Sequence, residues 1–339
     1  MMKKLIALSL LLAALGSMAF ADTAEVLPAM VGRVYLIPSF THMPGGWDHK
    51  GNYSRGNTID VFNLGLAVEF GILDWLSAAI QWAPGWTPWS DVGGGTVNTN
   101  GLADMFVGAK ALILGEKAPV ENDMFRFAVS LGILVPLPGP DFTKELTNAV
   151  AGKDATLASM DKHVFAFGGR LDFDWLITEN FTLNLHNETR IYPIKQDFKH
   201  AGPELAGATT TFGNGKVNYK YQLSFELEPA YSMPLADGVY FSAGLPITYT
   251  LNPAPTYSDY TEPAPGAWAA GFEAGYPGLF KSGYKLAVNP GIGIFVTTTP
   301  LPLEFKINYS LPVTGSNTKA AHTLSLQFRA YFALPGADI

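Results

Sequence analysis

The sequence contains no cysteine, and its 339 residues hold 22 lysines and arginines against 29 aspartates and glutamates. Without cysteine, neither a disulfide framework nor a thiolate metal site can stabilise the chain. The formal charge of −7 argues against nucleic acid as a partner, because surfaces that bind nucleic acid are basic. The six histidines are scattered without metal-ligand spacing, so we expect no metal and no cofactor.

Long apolar runs are also absent after the first residues of the chain. Hydrophobic residues make up 48% and aromatic residues 13% of the sequence, yet polar residues interrupt every later apolar run. Only helices and closed barrels satisfy backbone hydrogen bonds in lipid. If the chain enters a membrane, it must therefore do so with strands.

The first residues predict export. Lys3 and Lys4 precede an apolar run over 5–15, and the small residues Ala19 and Ala21 precede Asp22. This pattern indicates a signal peptide over 1–21, followed by a single domain over 22–339. An uncleaved anchor is the alternative, but a membrane-spanning helix needs about 20 apolar residues. We expect the mature chain to lie in the outer membrane of a diderm bacterium.

Alternation with a period of two dominates the rest of the sequence. In 216–228, apolar and aromatic residues occupy every odd position from Val217 to Leu227, and polar residues occupy the even positions. A β-strand sends successive side chains to opposite faces. The same pattern recurs at 60–70, 124–135, 164–175, 181–192, 303–311 and 322–332.

The alternation is typical of a closed antiparallel transmembrane β-barrel, in which segments of about 10 residues turn their apolar face to lipid. We predict about 12 strands. Their ranges are 31–40, 59–70, 75–82, 102–114, 124–136, 163–176, 181–193, 216–230, 238–250, 284–298, 302–312 and 322–332. Segment 251–283 leaves 14 strands possible. Aromatic residues near strand ends predict interfacial girdles: Trp75, Trp82, Trp175, Tyr249, Tyr309 and Phe332.

Connections alternate in length, as they do in such barrels. Short turns, which we assign to the periplasmic side, are predicted at 71–74, 177–180, 235–238 and 299–302, with a medium one at 115–123. Long external loops are predicted at 42–58, 83–100, 137–162, 194–215, 251–283 and 313–321. Within the third of these loops, 141–150 is predicted to form a short helix that constricts the mouth.

Three segments carry a resemblance to a known group of barrels: VEFGILDWLSAAIQWAP (68–84), GLADMFVGAKALIL (101–114) and INYSLPVTGSN (307–317). They resemble the strands and hairpins of the long-chain fatty-acid outer-membrane transporters, and especially their smaller relatives associated with phenol meta-pathway degradation. The resemblance implies passive uptake of hydrophobic small molecules. The fatty-acid transporters carry an N-terminal plug, whereas here Asp22–Met30 are too few for one.

Charged residues on the polar faces are the candidates for lining the lumen. They could form a selectivity lining, or they could be an ion-pair and hydrogen-bond network that fills a narrow barrel. These residues are Glu69, Asp104, Lys110, Arg126, Arg170, Asp172, His186, Glu188, Arg190, Lys220, Glu226, Glu304, Lys306 and Arg329.

Catalysis has weak support in the sequence. His186, Glu188 and Asp172 share a predicted polar face, but no serine nucleophile accompanies them and no GxSxG elbow is present. We therefore predict that the protein is not an enzyme, with a barrel hydrolase as the least favoured hypothesis.

Aromatic residues in the predicted external loops could form a landing site for apolar ligands. Alternatively, they lie at the level of the lipid headgroups, where tryptophan and tyrosine are common. These residues are Trp47, Tyr53, Trp86, Trp89 and Tyr257.

The sequence favours a porin-like channel or transporter for small, hydrophobic molecules. The alternative from another class is a structural or adhesin-type surface barrel with a closed lumen. In either case, the expected partners are outer-membrane lipid and, during biogenesis, the barrel-assembly machinery. A channel would add a small-molecule solute as a partner.

Overall fold

The computed structural model describes residues 23–140, 144–145, 148, 151–156, 162–201, 212–261 and 277–335. The predicted signal peptide lies outside the described residues, as does most of the predicted helix at 141–150. Among the residues described, no helix is long and apolar enough to cross a membrane.

The described residues form strands joined by turns and loops. In chain order they are β1 (Val31–Trp47), β2 (Tyr53–Leu73), β3 (Leu76–Val92), β4 (Val97–Asn98), β5 (Gly101–Leu102), β6 (Met105–Leu114), β7 (Phe125–Val135), β8 (Ala155–Thr156), β9 (Ala166–Leu176), β10 (Phe181–Ile191), β11 (Gln196–Ala201), β12 (Phe212–Asn218), β13 (Tyr221–Ala236), β14 (Val239–Gly244), β15 (Ile247–Asn252), β16 (Thr256–Thr261), β17 (Gly283–Val288), β18 (Gly291–Val296), β19 (Leu303–Ser316), β20 (Thr318–Lys319) and β21 (His322–Ala333), with a 3-10 turn over Pro277–Phe280.

The large sheet closes into a barrel. Strand β1 pairs with β2 on one side and with β21 on the other, where Val31 faces Ala333. β14 and β15 share one position in the wall, as do β17 and β18, because each pair is one strand interrupted near its middle. The ring therefore has 12 antiparallel wall strands, which confirms the predicted fold class. β16 belongs to a separate sheet with β11 and β12, so the described part of segment 251–283 adds no further strand to the ring.

The two faces of the barrel wall have opposite polarity. On β1, the outward side chains of Val34, Leu36 and Phe40 are exposed, whereas the inward side chains of Ser39 and Thr41 are buried. A soluble sheet buries its apolar face, but here the polar face is buried and the apolar face is exposed. This inverse arrangement is the one that lipid requires.

One side of the barrel is interrupted by proline, which cannot donate a backbone hydrogen bond. The breaks at Leu245–Pro246 and Asn289–Pro290 lie side by side, and Pro229 lies on the adjacent strand β13. The proline carbonyls still accept hydrogen bonds, with Asn289 N donating to Pro246 O at 2.7 Å. We call β14, β15, β17 and β18 the broken wall, and β1, β2 and β3 the continuous wall.

The ends of the barrel also differ. The predicted short links join strands at one end, which we call the turn end, and the longer connections lie at the opposite loop end. Two predicted external loops, 42–58 and 83–100, are largely wrong, because β1, β2 and β3 continue through most of them. The glycines of these segments were interpreted as loop residues, but Gly46 lies in a strand. A Cβ at Gly46 would lie 2.7 Å from Thr318 O, so this glycine permits a close approach of two strands.

Candidate functional site

The middle of the lumen contains a cluster of three charged side chains from neighbouring strands. Asp172 of β9 and His186 of β10 are direct partners across the ladder, and His186 Nδ1 contacts the Asp172 carboxylate. Lys110 Nζ of β6 lies 3.3 Å from Asp172 Oδ2. The Asp172 residue is only 1% exposed, so its carboxylate depends on these two partners, the Lys110 ammonium and the His186 ring, inside the barrel.

One step toward the loop end, a second charged group lies on the inner face of β9 and β10. The Glu188 carboxylate lies 2.5 Å from Arg190 Nε and 3.2 Å from Arg170 Nε. The Arg170 guanidinium lies 5.2 Å from the ring centroid of Phe106. That ring fits inside the barrel because a glycine faces it, since a Cβ at Gly168 would lie 2.7 Å from Phe106 Cε2.

Apolar side chains pack together inside the barrel toward the loop end. Leu134, Val164, Ala166 and Tyr192 form a buried cluster, against which Phe106 packs. On the inner face of the continuous wall, a row of further side chains is almost completely buried. This row contains Met43, Ile59, Val61 and Val92. In the loop half of the barrel, inward side chains therefore pack closely against one another.

The residues before β1 enter the lumen at the turn end. Ala24 N donates to both oxygens of Asp174, at 3.0 and 2.9 Å, and the Glu25 carboxylate lies 2.6 Å from Arg126 Nη1. Lys110 Nζ donates to Thr23 O. Although Asp22–Met30 are too few to form a plug domain, the described part of this stretch still occupies the lumen. We call Thr23–Met30 the N-terminal segment.

The N-terminal segment also packs against the wall. Ala24 forms an apolar cluster with Leu112 and Ala128, and Trp75 packs against it. The prediction of Trp75 as a lipid-facing girdle residue is therefore wrong. The segment then runs along the end of β2, where Met30 N donates to Gly71 O at 2.9 Å.

A cavity of about 390 Å³ lies beside the N-terminal segment, and we call it the turn-end cavity. Its lining combines aromatic, aliphatic and charged side chains from both walls. It consists of Thr23, Glu25, Arg33, Tyr35, Ile37, Ala67, Gln81, Ala83, Ser232, Tyr240, Phe241, Ser242, Phe295, Glu304, Lys306, Arg329 and Tyr331. Its volume falls within the range of about 300–1,000 Å³ that small-molecule sites occupy.

Two arginines on neighbouring strands form the charged side of this cavity. Arg33 Nη2 donates to Glu69 Oε2 at 2.6 Å, and Arg329 Nη1 donates to Glu304 Oε2 at 3.0 Å. Both guanidinium groups lie over the Tyr35 ring, at 4.8 and 4.9 Å from its centroid. The stacking fixes the two cations in place.

The other side of the turn-end cavity is aromatic. The rings of Tyr240 and Phe295 are 6.3 Å apart, and those of Phe295 and Tyr331 are 5.3 Å apart. A second cavity of about 210 Å³ lies nearby and shares Thr23, Glu25, Ser232, Ser242 and Lys306 with the first. The N-terminal segment therefore forms part of the boundary of both cavities.

The structure places most of the predicted lining residues on inward positions of wall strands, each with a polar partner. These are Glu69, Lys110, Arg126, Arg170, Asp172, His186, Glu188, Arg190, Glu226, Glu304, Lys306 and Arg329. Asp104 precedes β6, is buried, and lies 3.2 Å from His163 Nδ1. Lys220 lies apart, because a positive φ of 62° at the break between β12 and β13 leaves it exposed.

The aromatic residues predicted as a landing site are not brought together. Trp47 packs on Tyr53 at the tip of the first hairpin, with ring centroids 5.7 Å apart. Trp86 and Trp89 lie on the exposed outward face of β3, an arrangement that fits the headgroup alternative. Tyr257 lies on β16 against Phe280, and burial there raises the pKa of its hydroxyl above the usual value.

Several residues of the turn-end cavity were not among the predicted lining residues. Arg33 and Tyr35 alternate with Val34 and Leu36, so the period of two does place them inward. Tyr240 and Phe295 gave no such signal, because their strands carry apolar residues on both faces. Among the described residues, no group of histidine, aspartate and glutamate side chains is arranged to hold a metal ion.

No family model and no curated protein matches the sequence. Among solved structures, an outer membrane channel from Pseudomonas putida F1 is similar with a TM-score of 0.60 and 10% sequence identity, over 93% of this chain and 100% of that one. The Pseudomonas putida toluene transporter TodX is similar with a TM-score of 0.41 and 12% identity, over 93% of this chain and 92% of that one. The first likeness confirms the predicted resemblance to outer-membrane transporters at the level of the fold.

Proposed function

We propose that this chain is an outer-membrane channel for passive uptake of small, largely apolar molecules, and that it is not an enzyme. The observation that carries the proposal is the turn-end cavity, a space lined by Tyr35, Tyr240 and Phe295 inside a barrel whose outer face is apolar. Concave aromatic surfaces suit apolar ligands. The fold shared with a solved outer membrane channel supports the same proposal.

The packed loop half of the barrel limits the size of the solutes that can pass through the lumen. Met43, Ile59 and Val61 are fully buried there, so the lumen differs from the wide aqueous pore of a general porin. In this proposal, 1–21 is removed on export, the turn end faces the periplasm, and the barrel-assembly machinery inserts 22–339 as one domain.

A structural barrel with a closed lumen is the second candidate. The observation in its favour is that the inward charges are paired with one another, as in the groups around Asp172 and Glu188. Such pairing fills a lumen without requiring a solute. The two candidate functions differ only in whether solutes pass through the lumen.

The test compares an inward and an outward substitution on the neighbouring strands β14 and β18. Ser242 lines both cavities, so Ser242→Trp should fill them, whereas Ile294→Trp replaces an exposed outward side chain that borders neither cavity. Cells that express the parent chain should take up radiolabelled toluene several-fold faster than cells without it. Ser242→Trp should abolish the gain, and Ile294→Trp should retain it. A heat-modifiable parent barrel that gives no gain would leave the structural barrel as the function.

A further inference from the structure

We infer that the turn-end cavity prefers a small aromatic carboxylate over a neutral or cationic aromatic of the same size. This inference rests on the proposed function and narrows its substrate class. It depends on three features of the cavity: an excess of positive charge, guanidinium donors without a partner, and an aromatic surface facing them.

The charges around the cavity do not cancel. Its cations are Arg33, Lys306 and Arg329, and the carboxylates that they contact are Glu69 and Glu304. Three cations against two carboxylates leave one positive charge in excess. Glu25 also lines the cavity, but its carboxylate lies 2.6 Å from Arg126 and is balanced there.

The two cavities differ in the balance of their charges. The smaller cavity is lined by three carboxylates, Glu25, Asp174 and Glu228, against the two cations Arg126 and Lys306, and it contains neither Arg33 nor Arg329. A carboxylate ligand is therefore attracted to the turn-end cavity and repelled from its neighbour.

The guanidinium groups still have donors to offer. A guanidinium group has five N–H donors. Arg33 makes two hydrogen bonds, to Tyr331 and Glu69, and Arg329 makes two, to Glu304 and Gln327, all through their Nη atoms. A ligand carboxylate accepts hydrogen bonds from guanidinium groups at short distance, and such charge-assisted bonds are stronger than neutral ones.

The aromatic surface accounts for the rest of the ligand. Phe295 stacks between Tyr240 and Tyr331, and Ile37 and Ala67 complete the apolar lining. A single ring can pack on this surface while its carboxylate points to the arginines. A cation such as benzylamine meets the excess positive charge instead, and a neutral amide gains no ion pair.

Binding of benzoate, benzamide and benzylamine to the full chain in detergent, measured by equilibrium dialysis, tests the inference. Benzoate should bind about tenfold more tightly than benzamide, and benzylamine should bind most weakly. Lys306→Met removes the excess charge, so it should abolish the preference for benzoate over benzamide, measured as the ratio of their dissociation constants. Lys216→Met, on the external strand β12, is the matched control and should keep the preference.

Tyr240→Ala provides a second variant in case Lys306→Met does not fold. It should weaken benzoate and benzamide by the same factor, because it removes ring contact and no charge. Equal binding of benzoate and benzamide by the parent chain would overturn the inference. The proposed function would survive that result if toluene uptake still depends on the lumen, and it would fail independently if toluene uptake is absent.

Discussion

The continuous wall and the broken wall of the barrel differ in backbone and in what lies behind them. Strands β1, β2 and β3 run for 17, 21 and 17 residues, whereas β14, β15, β17 and β18 are segments of six residues each. Behind the long strands at the loop end, the lumen is packed with side chains. The short segments border both cavities, through Ser242, Gly244 and Gly291 among others.

The difference shows how one barrel combines rigidity with space. The long strands β1 and β2 bring large inward residues such as Met43 and Ile59 into register, and these side chains are completely buried. Prolines divide the wall strands on the other side, and small residues such as Gly291 line the wall beside the breaks. The smaller cavity lies beside these breaks, whereas the turn-end cavity lies between the two walls.

The largest effect is expected from truncation within the packed side. Met43→Ala removes a completely buried side chain of β1, so it should lower the free energy of unfolding by about 2–5 kcal/mol. Ser242→Ala on β14 should change it by less than about 0.5 kcal/mol, because Ser242 already borders a cavity. Urea unfolding in detergent measures both, and equal losses would erase the proposed difference between the walls.

A smaller effect is expected from a buried hydrogen bond. Thr87 Oγ1 of β3 donates to Asn63 Oδ1 of β2 at 2.7 Å, and both residues are almost fully buried. Thr87→Val leaves the Asn63 oxygen without this donor and should cost about 1–3 kcal/mol. Thr182→Val, beside the smaller cavity, should be tolerated because water in the cavity can satisfy the polar groups around the new side chain. A well-tolerated Thr87→Val would show that the packed side admits water after all.

The third effect is on conductance. A Cβ at Gly71 would overlap the Pro28 carbonyl oxygen, so Gly71→Val should displace the N-terminal segment from β2. Stability should fall little, while single-channel conductance in planar bilayers should rise several-fold. The adjacent outward substitution Ile72→Val is the control and should leave conductance unchanged. Unaltered conductance in Gly71→Val would show that the segment does not obstruct the lumen.

The smallest effect is expected in local opening. Amides of β14, β15, β17 and β18 should exchange with deuterium about tenfold faster than the buried amides of β1 and β2, because short interrupted ladders open more easily. Hydrogen exchange with mass spectrometry on the parent chain measures this directly. Uniform protection around the ring would mean that the proline breaks do not make local opening of the wall easier.

The alternation of residue types predicted the barrel, since the period of two places apolar side chains outward on every clear strand. It failed where backbone geometry, not side-chain polarity, decides the structure. Gly45 and Gly46 favoured a loop, yet these glycines lie in β1 where neighbouring strands approach closely. Lys220 follows the period into the lumen, but the left-handed backbone at this residue turns it away.

The sequence predicted which face of each strand carries the residues of the candidate site, but not which of these residues contact one another. The period placed Asp172 and His186 on one side of their strands, but their pairing depends on the register of β9 with β10. The turn-end cavity was even harder to predict from the sequence, since Arg33 and Glu304 belong to opposite ends of the chain. Only ring closure brings their strands within two positions of each other.

Closure of the ring between β1 and β21 has a consequence for biogenesis. These strands lie near opposite ends of the described chain, so the pairing of Val31 with Ala333 is a contact of very high order. Until β21 arrives, the preceding sheet has two open edges that can pair with other chains. Synthesis from the N-terminus therefore cannot complete this fold in stages. The two edges must be kept from pairing with other chains until the last strand is available.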